Sequence, residues 1–97
     1  MQEQIEELLS ADAPTLDRIE ATLTEGYAQA LALEAERLRL ERRLGEVARE
    51  GSPDLGAELS SIGTRLNAAD DELSKLRSLL GTLHDRARRA RRARSSR

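Results

Sequence analysis

Two matched heptad ladders constrain this chain more than any other feature. In the second half, Leu55, Leu59, Ile62, Leu66, Ala69, Leu73, Leu76, Leu80, Leu83, Ala87 and Ala90 are spaced four, three, four, three without a break. In the first half, Leu16, Ile19, Leu23, Gly26, Ala30, Leu33, Arg37, Leu40, Leu44 and Val47 keep the same alternation. Apolar residues every 3.5 positions mark the seam of a left-handed coiled coil. Between the ladders lies Gly51-Ser52-Pro53-Asp54, a compact stop-and-restart signal. The expected fold is therefore all-α: an antiparallel helical hairpin, a coiled coil, preceded by a short N-terminal helix.

The boundaries follow from local chemistry. Residues 2–9 read as a short helix with Ile5, Leu8 and Leu9 on one face. Ser10-Ala11-Asp12-Ala13-Pro14 interrupts it. Pro14 suits the first turn of the next helix, with Asp12 or Ala13 near its N-cap. That helix is expected to run to about Glu50, with Gly51 as its C-terminal cap. Ser52 reads as the following N-cap with Pro53 at N1. The last helix is expected to reach about Arg89 or a little beyond, and the final residues to fray. The resulting division is 1–12 for the short helix and linker, 13–90 for the hairpin with its turn at 51–53, and 91–97 for a basic tail.

The register can be tested within the sequence. In an antiparallel hairpin, facing positions have a nearly constant index sum. From Val47 with Leu55 to Leu16 with Ala87, the two ladders pair with sums that alternate between 102 and 103. On this register Gly26 is expected to face Leu76. A continuous helix in a long dimer would instead put Gly51, Ser52 and Pro53 in a helix interior, which is costly.

One seam leaves apolar residues over. Tyr27, Leu31 and Leu38 form an adjacent stripe, and Leu79 does the same on the last helix. A two-helix hairpin buries little surface for its length. The candidates for the stripe's cover are the Ile5-Leu8-Leu9 segment, a second copy of the chain or a different partner, and the favoured expectation is a homodimeric four-helix bundle to which Ile5, Leu8 and Leu9 contribute. Tyr27, Leu31, Leu38, Leu79, Ile5, Leu8 and Leu9 are accordingly the candidate partner-binding residues.

Composition removes whole classes of function. Aromatic residues are 1% of the chain and charged residues 35%. There is no cysteine, which excludes thiolate metal sites and cysteine nucleophiles. No phosphate-binding glycine loop, nucleophile elbow or base–nucleophile pair is present. His84 is the single histidine, and a lone imidazole with scattered carboxylates lacks a metal-ligand spacing. It is expected at the surface near Glu20. No catalytic residue, cofactor or metal is expected, and the chain is not expected to be an enzyme. The opening MQEQIEELLS lacks the basic and apolar regions of a secretory signal. No apolar run approaches the roughly 20 residues of a membrane span. A cytoplasmic location is the expectation.

Charge is distributed unevenly. Residues 1–85 hold 18 acidic and 9 basic side chains, net −9; residues 86–97 hold seven arginines and no acid, net +7, which gives the overall −2. Arg86, Arg88, Arg89, Arg91, Arg92 and Arg94 are interleaved with Ala87, Ala90 and Ala93. Such a segment can contact nucleic-acid phosphates without reading sequence. It can equally complement a helix C-terminus or balance the acidic body. Arg37 interrupts the first ladder and is expected to reach Asp70 while its stem packs. The glycines within the expected helices, Gly26, Gly45, Gly56, Gly63 and Gly81, each cost about 1 kcal/mol relative to alanine.

Around the turn stand Glu46, Glu50, Asp54 and Glu58, in the string Ala48-Arg49-Glu50-Gly51-Ser52-Pro53-Asp54-Leu55. Over about ten residues this resembles the acidic coiled-coil tip of the bacterial Gre-type transcript cleavage factors, which enter the RNA polymerase secondary channel. The resemblance implies a coiled-coil regulator of RNA polymerase as a minor alternative, and it assigns no residue a role. The leading expectation is a non-catalytic protein–protein interaction module: an adaptor, assembly factor or small scaffold. The principal alternative is non-specific nucleic-acid binding through the arginine segment.

Overall fold

The computed structural model describes residues 1–10, 15–51 and 53–95. Among these residues the protein is all-helical and has no strand: α1 is Gln2–Ser10, α2 is Leu16–Glu50 and α3 is Leu55–Ser95. The packing of α2 on α3 fits a hairpin. No helix among the described residues is long and apolar enough to cross a membrane.

The ends of the helices have identifiable causes. The α2 N-cap is Thr15, whose Oγ1 accepts the Arg18 backbone N–H at 3.2 Å. The helix thus starts at Leu16, later than the expected Pro14. Pro14, Asp12 and Ala13 lie outside the described residues, as does Ser52. Gly51 takes φ +63°, the left-handed conformation that closes a helix and that side chains with a Cβ disfavour. Leu55 begins α3, and the Asp54 carbonyl accepts the Glu58 N–H at 3.0 Å. The last helix runs to Ser95, so Arg91, Arg92 and Arg94 are helical.

The chain divides into two compact units: Met1–Ala30 with Ser74–Arg97, and Leu31–Leu73. In the second unit, Leu40, Val47 and Ile62 form the buried core, with Leu44, Leu55, Leu59 and Leu66 packed against it. These are ladder residues from α2 and α3, as the 3.5-residue period requires. Arg37 occupies the seam position where a leucine would ordinarily sit. Its Nε lies 3.0 Å from Asp70 Oδ1 and 3.3 Å from Glu41 Oε1. The pair is half-exposed, so it contributes at most about 1 kcal/mol. Its effect is to let a charged residue occupy a seam position without an unpaired buried charge. A second ion pair between the helices joins Arg65 to Glu36 at 3.9 Å.

In the first unit, α1 packs with α2 and α3. Ile5, Ile19, Leu76, Leu83 and Ala87 are each at most 1% exposed, and Leu8, Leu23 and Leu80 are also buried. The Arg86 guanidinium donates to the Leu9 carbonyl at 2.6 Å, tying α3 to the last turn of α1. That carbonyl is one of the acceptors a helix leaves unpaired at its C-terminal end. Arg91 donates to Glu20 Oε1 at 2.9 and 3.1 Å, linking α3 to α2. Glu20 is therefore engaged by Arg91, and His84 is exposed at the surface.

Gly26 is buried in this unit, and the side chain closest to where its Cβ would stand is that of Leu80. A Cβ built at Gly26 would collide with Leu80 Cδ2. The leucine side chain occupies the space that an alanine methyl would need. Gly26→Ala is expected to lower stability by about 1 kcal/mol or more, because overpacking outweighs the gain in helix propensity. Adding Leu80→Ala should reverse the sign of the Gly26→Ala effect, read as a double-mutant cycle in urea. A stabilising Gly26→Ala in the Leu80 background would overturn this account of the contact.

Candidate functional site

The candidate partner-binding residues separate into buried and exposed sets. Ile5 is 0% and Leu8 3% exposed, so neither offers a surface to a partner. Their face of α1 is consumed within the first unit, which corrects the expectation that they bind another molecule. Leu9 is half-buried, with its carbonyl engaged by Arg86. Leu79 is likewise half-buried. Tyr27, in the first unit, remains 47% exposed.

The second unit carries the clearest apolar exposure. Leu31 is 66% and Leu38 47% exposed. Both belong to α2, where Leu31, Ala35 and Leu38 follow the i, i+4, i+7 spacing that places side chains on one face. Ala35 is exposed as well. Two large apolar side chains left in water on one face of a helix already packed along another make that face the candidate contact surface. Arg39, Glu41 and Arg42 are exposed close by in sequence, so charges of both signs accompany the leucines. Hydrophobic anchors supply affinity in such a surface, and charges around them supply selectivity.

The arginine residues also divide. Arg86 is half-buried and bound to the Leu9 carbonyl, and Arg91 is paired with Glu20. Arg86 is therefore engaged within the first unit, unlike the candidates exposed further along α3. Arg88, Arg89, Arg92 and Arg94 are exposed on α3. Arg88, Arg89 and Arg92 line one shallow depression together with Asp85.

At the turn, Arg43 Nη1 lies 3.6 Å from Glu46 Oε2, and Glu50 and Asp54 are exposed. Among the described residues, no group of three or more His, Asp or Glu side chains is arranged to hold a metal ion. The shallow depressions on the first unit, such as the one lined by Gln4, Glu7, Leu8, Arg18, Thr22 and Glu25, are solvent-facing. No family model, curated protein or solved structure matches this chain.

Proposed function

We propose that this protein is a non-catalytic protein–protein interaction module, an adaptor, assembly factor or small scaffold. It acts as an antiparallel coiled-coil hairpin and associates with a second copy of itself into a four-helix bundle. The observation that carries this reading is the exposure of Leu31 and Leu38 on one face of α2 in the second unit. A helix hydrophobic on two sides is ordinarily buried on both. The mixed charges near the leucines suit a self-complementary patch, because a two-fold interface brings the same surface of each copy together.

The test is the mass in solution of the whole chain and of the Leu31→Glu, Leu38→Glu double variant, by light scattering. The expected result is twice the chain mass for the parent and a single chain mass for the variant. Circular dichroism should show the same helical content for both, since exposed Leu→Glu substitutions on a helix cost little propensity. A parent chain that is monomeric across the accessible concentration range defeats the homodimer. An unchanged mass in the variant defeats the assigned surface.

A further inference from the structure

The exposed arginines at the end of α3 belong to a surface that the self-association face does not explain. We infer that Arg88, Arg89 and Arg92 form a contact site for the phosphate backbone of a nucleic-acid duplex, independent of its base sequence. The inference combines what α3 exposes with what it lacks.

The three exposed guanidiniums line one shallow depression within residues 88–92, a rise of about 6 Å along a helix. The helical conformation continues to Ser95, so these side chains project from an ordered element. Each can pair with a phosphate through two parallel N–H donors, a geometry that lysine cannot provide. No acid occurs after Asp85 in this chain. Asp85 borders the patch, and Glu20 is committed to Arg91. The patch thus keeps an excess of positive charge.

The surrounding residues discriminate among anionic partners. The alanines that separate the arginines supply no large anchor: Ala87 is buried, Ala90 half-buried, and Ala93 is a lone exposed methyl. A folded protein partner is held mainly by buried aromatic or aliphatic anchors, which this end of α3 lacks. An anionic membrane surface is usually gripped by bulky apolar residues inserted beneath the headgroups. A single strand is bound by stacking bases on aromatic rings, and Tyr27 is the one aromatic residue of the chain. Duplex backbone requires none of these. It presents one negative charge per about 1.7 Å of axis, a density that matches closely spaced guanidiniums. The acidic remainder of the chain, net −9 over residues 1–85, repels the same duplex and confines contact to this end.

The experiment is fluorescence anisotropy of the full chain with two labelled duplexes of unrelated sequence. For three phosphate contacts, log Kobs is expected to fall with log salt at a slope of about −2.7, roughly fortyfold between 50 and 200 mM. Both duplexes should bind equally. The combined variant Arg88→Ala, Arg89→Ala, Arg92→Ala should lose binding and its salt dependence. The corresponding three Arg→Lys changes should retain most of it. Parallel titrations with polyglutamate and with anionic lipid vesicles decide the partner class on the unaltered chain, whatever the variants do. No duplex binding at low salt overturns the inference. So does equal affinity in the alanine variant, or binding to polyglutamate or vesicles as tight as to duplex. Because Leu31 and Leu38 lie outside this patch, the oligomeric state reports separately on the proposed self-association.

Discussion

Leu83→Ala is expected to lower the stability of this protein by about 2–5 kcal/mol, the range observed when a leucine is truncated in a closed core. Leu83 is 0% exposed in the first unit. The loss has two parts: the transfer free energy of the removed methyl and methylene groups, and the void that remains when neighbours relax only partly. The second part is large when the surroundings are already held. In this unit α3 is tied to α1 by Arg86 and to α2 by Arg91, which limits collapse around a cavity. Thermal unfolding followed by circular dichroism should show a midpoint lower by roughly 8–40 °C in a domain of this size. Leu59→Ala provides the comparison, because Leu59 is only half-buried. Similar losses at the two positions would contradict the burial pattern described above.

Ile5→Asp is expected to detach α1 from the first unit. Ile5 is 0% exposed and sits on a helix of nine residues. Isolated helices shorter than about 12–15 residues are marginal in water, so α1 persists through its docking. A carboxylate at position 5 would be buried without an opposite charge, at a cost of several kcal/mol. The lower-energy outcome is release of α1 with its carboxylate hydrated. Hydrogen exchange should then show loss of amide protection throughout Gln2–Ser10. The second unit, which contains no residue of α1, should keep its protection. Arg86 would lose its acceptor at Leu9, and the neighbouring part of α3 should exchange faster. Persistent protection of the α1 amides in the variant would mean that the helix is not held by Ile5.

Both variants depend on information that the sequence conveys unequally. Leu83 is identified as a core residue by its ladder position alone. Every ladder residue in the described helices is buried or half-buried, including Arg37. A period of 3.5 specifies a face without reference to any partner, so it remains legible in a single chain. The same holds for the helix end at Glu50, because glycine at position 51 adopts the left-handed conformation at little cost. The α2 start was less legible. Ser10, Asp12 and Thr15 all have side chains able to cap, and the choice of Thr15 depended on where the first helical hydrogen bonds close.

The amphipathic pattern of Ile5, Leu8 and Leu9 indicated an apolar face, but it carried no information about what would cover that face. Burial within the same chain and burial against another molecule require the same residues. Gly26 illustrates the same limit: its ladder position placed it in the seam, yet the side chain that fills its missing Cβ is Leu80. Arg86, Arg88 and Arg91 are one residue type in one segment, and only their distances to the Leu9 carbonyl and Glu20 distinguish them. The sequence by itself determined the helices, their seam and the separation of acidic from basic charge, because these follow from local spacing and composition. The tertiary structure alone decided which apolar residues are consumed internally and which arginines remain at the surface, because burial and pairing depend on neighbours far away along the chain.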